Sequence, residues 1–367
     1  MVLIVLIFSS SYLILHLIFF YGYRKSILLC GNKLNNEIFV TVIVAARNEE
    51  QNIRHCINSL KQINYNFNKF EVIFVDDNST DRTYEIMIDE TLGNKNFKII
   101  KSQDSIQSNL KGKANAIDTA IKISRGDIIF TTDADCNVQP DWINELLKYY
   151  DEQTGMVCGF TNFIEDKSVF TKLQSLDWIY LLGIASSSCG IKNIISCIGN
   201  NLTFRKKVYV DMGGYSSIKF SVTEDMALMR TIRKENKFEI KYPVERNTIV
   251  FTKPCSNFIE LMQQKRRWFK GGVKVNFLGY ITGIELYLAN MIFIFGIFFL
   301  PVYIFFIFLL NKLISELLII ILYCKKMGIK KLIRFFPLYQ FYIALYGLIL
   351  PWTFIFNKKI KWKNRKF

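Results

Sequence analysis

Charged and apolar positions are distributed unevenly along this chain of 367 residues, and the first block is almost wholly apolar. Residues 2–20 carry no charged side chain and are long enough to cross a bilayer core of roughly 30 Å as a helix. Arg24 and Lys25 follow at once, without the leading positive charge or the small-residue cleavage site of a secretory signal. The pattern predicts a retained transmembrane anchor over residues 1–24 with its C-terminal end in the cytoplasm. His16 inside the anchor is a candidate functional group, although a neutral imidazole bonded to a neighbouring helix is the simpler expectation.

Two further apolar blocks lie towards the C-terminus. The first covers residues 286–323, and Pro301 within it predicts a turn between two short membrane spans. The second covers residues 335–356 and has basic clusters on both sides, so a full crossing would break the tendency of basic residues to stay in the cytoplasm. We therefore expect transmembrane or interfacial helices over residues 286–356, followed by a basic tail at 357–367.

Strand patterns and helix patterns alternate between residues 38 and 285. Short runs of Val, Ile and Phe, typical of buried strands, are followed by segments whose apolar residues recur at helical spacing. This alternation predicts an α/β domain with a mostly parallel sheet covered by helices on both faces. The predicted strands are 39–46, 70–75, 97–100 and 127–132, and the predicted helices follow Asn48, Asp81, Leu110 and Pro140.

The net charge of +16 does not indicate nucleic-acid binding once its distribution is considered. No acidic residue follows Glu316, and the excess of Lys and Arg flanks apolar segments, where each charge gains about 1 kcal/mol from anionic headgroups. Membrane lipids are therefore predicted partners, and nucleic acid is not. The 8 cysteines form no Cys-x-x-Cys pair, which fits reduced thiols in a cytosolic domain.

Acidic side chains follow the predicted strands at the point where each strand ends. Asp133 and Asp135 follow the fourth strand, Asp76 and Asp77 the second, and Glu49 the first. Ligands of such sheets bind beyond these carboxyl ends, and paired acids are costly to bury unless they meet a cation. The sequence has no glycine-rich phosphate loop, so the pattern predicts a nucleotide diphosphate held through a divalent metal, Mg²⁺ or Mn²⁺.

Lys113 lies at a predicted helix start, where it could add positive charge near the same phosphates. The alternative is an ordinary solvated lysine in the first turn of a helix.

Six motifs follow one another in the region 40–272. They are Val-Asp-Asp-Asn-Ser-Thr-Asp (75–81), Lys-Gly-Lys-Ala-Asn-Ala (111–116), Thr-Asp-Ala-Asp (132–135), Gly-Asn-Asn-Leu-Thr-Phe-Arg-Lys (199–206), Thr-Glu-Asp (223–225) and Gln-Lys-Arg-Arg-Trp (264–268). In this order the chain resembles the family 2 glycosyltransferases. More narrowly, it is similar to their membrane-embedded branch, which includes cellulose, hyaluronan and poly-N-acetylglucosamine synthases and ceramide glucosyltransferases.

The resemblance implies a GT-A fold and an inverting transfer from a nucleotide-sugar, with UDP-sugars favoured. Asp76 and Asp77 would hold the nucleoside, and Asp225 would be the general base that takes the proton of the acceptor hydroxyl. Asp133 and Asp135 would bind the diphosphate through the metal, with Asp135 nearest to it.

The same resemblance places Gln264, Arg267 and Trp268 on an interfacial helix at about 257–272, beneath the catalytic pocket. Arg267 would stabilise the leaving diphosphate, and Trp268 would offer a flat face to the acceptor, together with Glu224. The predicted donor-binding set is Glu49, Asp76, Asp77, Lys113, Asp133, Gln264 and Arg267.

Local structure alone offers alternatives to these roles. Glu224 and Asp225 also suit an ordinary helix N-terminus, and residues 258–272 suit an amphipathic helix that rests on headgroups. We expect the second alternative to hold together with catalysis, because the acceptor must be presented at the membrane. The moderately apolar segment 168–198 is predicted to supply acceptor contacts.

The predicted protein is thus an integral membrane enzyme with a cytoplasmic catalytic domain and a lipid-linked or glycan acceptor. One alternative is a processive polysaccharide synthase coupled to export, which is disfavoured because few apolar segments are available to build a pore. A noncatalytic nucleotide-binding membrane protein is another alternative. A transporter is disfavoured because the chain lacks repeated spans.

Overall fold

The computed structural model describes residues 2–28, 38–103, 110–272 and 274–356, with the backbone of two short strands at 361–362 and 365–366. The chain divides into two compact units. Unit 1 comprises Met1–Leu28, Glu165–Ser196 and Pro254–Ile360, and unit 2 comprises Leu29–Ile164, Cys197–Lys253 and Lys361–Phe367. Most of the predicted basic tail lies outside the described residues.

Strands and helices are numbered separately in chain order. The strands are β1 (Val40–Ala46), β2 (Phe70–Asp76), β3 (Phe97–Lys101), β4 (Ile128–Asp133), β5 (Thr154–Cys158), β6 (Thr161–Phe163), β7 (Leu202–Arg205), β8 (Glu239–Lys241), β9 (Val250–Thr252), β10 (Lys361–Trp362) and β11 (Arg365–Lys366). The helices are α1 (Val2–Ile27), α2 (Ile53–Lys61), α3 (Thr83–Thr91), α4 (Lys113–Ile123), α5 (Trp142–Leu147), α6 (Val169–Gly190), α7 (Lys206–Asp211), α8 (Glu224–Glu235), α9 (Phe258–Gly272), α10 (Phe277–Phe299), α11 (Val302–Lys326) and α12 (Phe336–Phe356).

Unit 2 is organised by a seven-stranded sheet in the order β3-β2-β1-β4-β7-β5-β8. The pairs from β3 through β4 are parallel, β7 is antiparallel to both its neighbours, and β5 pairs with β8 in parallel. A small parallel pair, β6 and β9, lies outside this sheet. The mostly parallel α/β fold predicted from the sequence is confirmed, and the antiparallel β7 is an element that the sequence pattern did not predict.

The core of unit 2 lies against β1 and β2, whose residues are nearly all buried, as in a strand covered on both faces. Helix α2 contributes its apolar face to this core. Its residues Ile53, Cys56, Ile57 and Leu60, which recur at helical spacing, are each 0% exposed.

The strand register brings the candidate acids to one edge of the sheet. Ala46 at the end of β1 pairs with Asp76 of β2, and the preceding Ala45 pairs with Asp133 of β4. Because these strands are parallel, the loops that follow them leave the sheet on the same side. The register therefore gathers the loops after β1, β2 and β4.

Unit 1 consists of helices α1, α6 and α9 to α12. Within the described residues, four helices are long and apolar enough to cross a membrane: Val2–Ile27, Phe277–Phe299, Val302–Lys326 and Lys330–Thr353. Pro301 separates α10 from α11, at the position where the sequence predicted a turn. The predicted boundary at residue 285 falls inside α10, and the segment Glu165–Ser196 groups with the long helices.

Helices α1 and α6 cross with their backbones in contact. A Cβ atom added at Gly22 would lie 2.0 Å from the Ser187 carbonyl oxygen, and one added at Gly190 would lie 2.0 Å from the Gly22 carbonyl oxygen. His16 of α1 is bonded to α6 as well, with its Nε2 2.8 Å from Tyr180 Oη. Only glycine fits at such a crossing, because small residues let helix backbones approach this closely.

A fully buried ion pair joins three of the long helices. Lys312 Nζ donates to Glu316 Oε1 at 2.8 Å and to Gln340 Oε1 at 2.6 Å, and Gln340 Nε2 donates to Glu316 Oε2 at 2.8 Å. Tyr12 Oη completes the network with a 2.6 Å hydrogen bond to Glu316 Oε1. Both charges are therefore compensated, as buried charges must be.

Candidate active site

The loops after β1 and β2 are fastened to each other. Arg47 Nη1 donates to the Asp77 carbonyl oxygen at 2.7 Å, and the Thr80 amide donates to Asn48 Oδ1 at 2.8 Å. Asn48 has a positive φ of 52°, a left-handed conformation that asparagine tolerates better than most residues. The Asn48 amide also donates to Ser79 Oγ at 3.1 Å. These bonds fix the edge from which the candidate nucleoside-binding acids project.

Asp76 and Asp77 are each only 4% exposed. Asp76 Oδ1 accepts a 3.3 Å hydrogen bond from the Ser79 amide, and Asp77 Oδ1 accepts one of 3.2 Å from Ser102 Oγ. Glu49, in the loop after β1, is also buried, and its Oε2 accepts a 2.7 Å hydrogen bond from Asn52 Nδ2. A carboxylate has about four lone-pair sites on its two oxygens, so an acid that already accepts a hydrogen bond from the protein can also accept hydroxyl or imino hydrogens from a ligand.

Lys113 joins the end of β4 to the start of α8. Its ammonium forms an ion pair with Asp133 Oδ1 and lies 3.2 Å from Glu224 Oε1. Its side chain is only 15% exposed, which excludes the solvated alternative. Burial alone would lower the pKa of Lys113, but the charges of Asp133 and Glu224 outweigh burial and raise it. The lysine is therefore a permanent cation at this site.

Asp225 follows Glu224 in the first turn of α8, where Oδ1 accepts a 2.8 Å hydrogen bond from the Met226 amide. Burial and then the neighbouring charge of Glu224 raise the pKa of Asp225 to about 7, while Lys113 opposes that rise. A carboxylate with this pKa is a far stronger base than an ordinary aspartate.

Gly199 makes room for Asp225. A Cβ atom at residue 199 would lie 3.0 Å from Asp225 Cβ and 3.1 Å from its Oδ2. Thr131 of β4 holds this segment, since its Oγ1 donates to the Gly199 carbonyl oxygen at 2.9 Å. The glycine of the Gly-Asn-Asn motif thus has a direct steric role beside the candidate base.

Asp133 and Asp135 have the donor chemistry of a Mg²⁺ or Mn²⁺ site, and both are partly exposed. Among the described residues, no group of three or more His, Cys, Asp or Glu is placed to hold a metal. Two carboxylates still fit, because these ions often take one or two protein carboxylates and fill the remaining positions with phosphate oxygens and water. The buried Oγ1 of Thr132, the residue before Asp133, has no hydrogen-bond partner in the described parts of the chain.

The remaining predicted site residues, Gln264, Arg267 and Trp268, belong to α9 in unit 1. Gln264 Oε1 is buried and has no hydrogen-bond partner in the described part of the protein, so this acceptor can still take a ligand's hydrogen. Trp268 packs against Trp178 of α6, with ring centroids 5.3 Å apart. Their predicted roles at the donor and the acceptor remain predictions.

Asn201 and Lys265 lie inside predicted motifs but received no role from the sequence. Asn201 Nδ2 donates to the carbonyl oxygens of Phe160 at 2.6 Å and Thr248 at 2.8 Å, so it fastens the loops beside the motif. Lys265 forms a buried ion pair with Asp177. Their positions inside two motifs could have marked them as functional in the sequence, but their bonding partners could not be predicted because they are distant in sequence.

Comparison with known proteins gives a consistent result. The sequence model of the family described as Glycosyl transferase family 2 matches residues 41–226. Poly-beta-1,6-N-acetyl-D-glucosamine synthase of Staphylococcus aureus strain COL is 27% identical over 281 residues, which cover 73% of this chain and 64% of that protein. The enzyme of the same name from Staphylococcus epidermidis is 24% identical over 276 residues. The chain thus spans about 64% of the length of these relatives.

Among solved structures, a mannosyltransferase from Pyrobaculum calidifontis in complex with GDP-Man and Mn²⁺ superposes with a TM-score of 0.55. The sequence identity is 16%, and the match covers 94% of this chain and 98% of the other. At this identity the likeness concerns the fold, and it confirms the GT-A architecture predicted from the motifs.

Proposed function

Since the chain belongs to glycosyl transferase family 2 and is a nucleotide-sugar glycosyltransferase, we propose that it is an inverting enzyme with a lipid-linked or glycan acceptor. The observation that carries this proposal is the cluster at the end of β4. Lys113 bridges Asp133 and Glu224, and the adjacent Asp225 has a pKa of about 7. A cation beside the predicted diphosphate site and a base nearby are the two groups that a direct displacement needs.

Asp225 is the general base of the proposed reaction. Its carboxylate accepts the proton of the acceptor hydroxyl while that oxygen bonds to the anomeric carbon of the donor sugar. The bond from the anomeric carbon to the diphosphate breaks in the same step, and the nucleoside diphosphate leaves from the opposite face. One displacement of this kind inverts the anomeric configuration.

The donor is held by the acids at the sheet edge. Asp76 and Asp77 accept hydrogens of the nucleoside, with Glu49 close to them in sequence, and Lys113 balances charge on the diphosphate. Mg²⁺ or Mn²⁺, held by Asp133 and Asp135, would neutralise negative charge that gathers on the leaving group. Gln264 and Arg267 bind the same diphosphate in this proposal, and Glu224 and Trp268 contact the acceptor.

The two staphylococcal relatives are named as synthases of poly-N-acetylglucosamine, so UDP-N-acetylglucosamine is the first UDP-sugar to test as donor. The poly-N-acetylglucosamine synthases also favour a second candidate function, a processive synthase that extends a glycan chain. Product length separates the two, because addition of one or a few sugars yields short products, whereas a processive enzyme yields long polymer while most of the acceptor is still unextended.

The helices of unit 1 support a membrane enzyme whose catalytic unit faces the cytoplasm. Helices α1 and α11 run in the same direction, since contacts early and late in α1 meet α11 in the same order. The ring centroids of Phe8 and Phe308 are 6.2 Å apart, and those of Tyr23 and Tyr323 are 5.0 Å apart. Basic residues close both helices at that shared end, Arg24 and Lys25 on α1 and Lys325 and Lys326 on α11. Positive charge concentrates on the cytoplasmic side of membrane proteins, which favours that side for this end.

Nucleotide release from a panel of UDP- and GDP-sugars tests the proposal, using the full chain in membranes with Mn²⁺ and a lipid extract. We expect turnover with a UDP-sugar, at least 100-fold lower turnover in Asp225→Asn, and wild-type turnover in the matched control Asp211→Asn, which changes an exposed aspartate. Equal activity of Asp225→Asn and wild type would overturn the base assignment. Donor binding without transfer to any acceptor would instead favour the noncatalytic alternative.

A further inference from the structure

One face of α6 contacts α9 and the residues just before it at three points. Gln174, Asp177 and Trp178 lie on that face because residues three and four apart on a helix are neighbours. Gln174 Nε2 donates to the Cys255 carbonyl oxygen at 3.0 Å, and the Cys255 amide returns a 2.9 Å bond to Gln174 Oε1. This reciprocal pair fixes the chain just before α9 begins.

The second point of attachment is an ion pair between Lys265 of α9 and Asp177 of α6, which are 3% and 0% exposed. Tyr346 of α12 donates to Asp177 Oδ1 at 2.5 Å, so both oxygens of this carboxylate are engaged. The Lys265 ammonium also lies 5.0 Å from the centre of the Tyr346 ring. Three helices therefore meet at one compensated pair of charges.

The third point of attachment is aromatic. Trp268 packs on Trp178 with ring centroids 5.3 Å apart, and Lys265 Nζ lies 4.8 Å from the Trp268 ring centre. A cation over an indole face adds electrostatic attraction to this packing. The lysine thus fixes the rotation of α9 through both Asp177 and Trp268.

The fixed face of α9 differs from the flank that carries Gln264 and Arg267. Leu261, Lys265 and Trp268 are spaced by four and three residues and form one stripe, and Leu261 is 1% exposed. Gln264 and Arg267 each precede a member of this stripe by one residue, so their direction is set once the stripe is fixed. A small rotation of the helix would move both.

We infer that Asp177 and Lys265 are positioning residues for sugar transfer, which hold α9 so that Gln264 and Arg267 present their polar atoms in one orientation. This inference rests on the proposed function, in which those two residues bind the donor diphosphate. A buried ion pair gives little net stability over apolar side chains of similar volume, but it defines register, and misplacement by about 1 Å can cost roughly 100-fold in rate.

The test compares Asp177→Asn, Lys265→Gln and the double variant with the full-length enzyme. Each single variant leaves one buried charge without its partner and should lose thermal stability, whereas the double variant should regain it. In all three we expect kcat to fall about 10- to 100-fold, and UDP binding, measured by calorimetry, to weaken as well, because Gln264 and Arg267 bind the diphosphate in the proposed function. The matched control is the double variant Lys312→Gln with Glu316→Gln, which removes the other buried ion pair and should keep the wild-type kcat.

The indole pair gives a readout that does not depend on turnover. Circular dichroism should show exciton coupling between Trp178 and Trp268, assigned by subtracting the spectrum of Trp178→Phe. We expect this signal to weaken in the Asp177 and Lys265 variants and to persist in the Lys312 and Glu316 control.

Recovery of kcat together with stability in the double variant, or an unchanged exciton signal, would overturn the inference. Absence of turnover in the wild type would overturn the proposed function instead, and the exciton signal would still decide whether the pair holds the helix.

Discussion

Replacement of Glu224 by Gln should move the pH dependence of sugar transfer. The pKa of Asp225 is about 7, raised by burial and then by the Glu224 charge. With that value, about 9% of Asp225 is ionised at pH 6 and about 91% at pH 8, so kcat/KM should rise roughly tenfold between them. In Glu224→Gln the negative charge beside Asp225 is absent, so the midpoint of the pH profile of kcat/KM should fall by roughly one pH unit.

The assay is the initial rate of nucleotide release at subsaturating donor, from pH 5 to pH 9, with Mn²⁺ fixed and purified enzyme in lipid nanodiscs. Under these conditions kcat/KM reports the free enzyme. The control is Glu235→Gln, at the exposed C-terminal end of the same helix, which should leave the midpoint near 7. A wild-type midpoint near 4, or an unmoved midpoint in Glu224→Gln, would refute the reasoning.

Three further predictions concern the same cluster. The pKa of Asp225 in the folded protein lies above its unfolded value of about 3.8, so the wild type loses stability as pH rises from about 4 to about 7. In thermal melts, Asp225→Asn should therefore be more stable than the wild type at pH 8, by about 1–2 kcal/mol after screening. At pH 4 the two proteins should be equally stable. Gly199→Ala should lower kcat at least tenfold through contact with Asp225, and a wild-type rate would contradict this steric argument. Chelation with EDTA should abolish transfer and added Mn²⁺ should restore it, with Asp135→Asn requiring more Mn²⁺ for half-maximal rate; activity in EDTA would rule out the predicted metal role.

The sequence predicted the parallel half of the sheet because short strand patterns rich in Val, Ile and Phe alternate with helix patterns, and strands β1, β2 and β4 are indeed mostly buried. Strand β7 was not predicted, since four residues are too few to show periodicity and its antiparallel pairing with β4 depends on tertiary structure. The segment Glu165–Ser196 falls inside the predicted catalytic region 38–285, and in the structure it groups with the long helices of unit 1. The domain boundaries themselves stay predictions.

At the candidate site, residue types were easier to predict than partnerships. Asp133 was predicted from its place at a strand end, and that place is confirmed by the register with β1. The ion pairs of Lys113 connect residues 20 and 111 positions apart, and no local pattern encodes such distances. The sequence did not predict the ion pair between Asp177 and Lys265 for the same reason, because the two residues are distant in sequence and meet only in the folded protein.

The crossing of α1 and α6 at Gly22 and Gly190 means that the N-terminal helix is not an interchangeable tether. An unrelated membrane anchor fused in place of residues 1–28 would still attach the protein to a bilayer. It would bring a side chain where the Ser187 carbonyl oxygen needs the space, and it would lack His16 as partner for Tyr180. The first helix is therefore a folded component of unit 1, and its sequence is constrained by what it touches as much as by hydrophobicity.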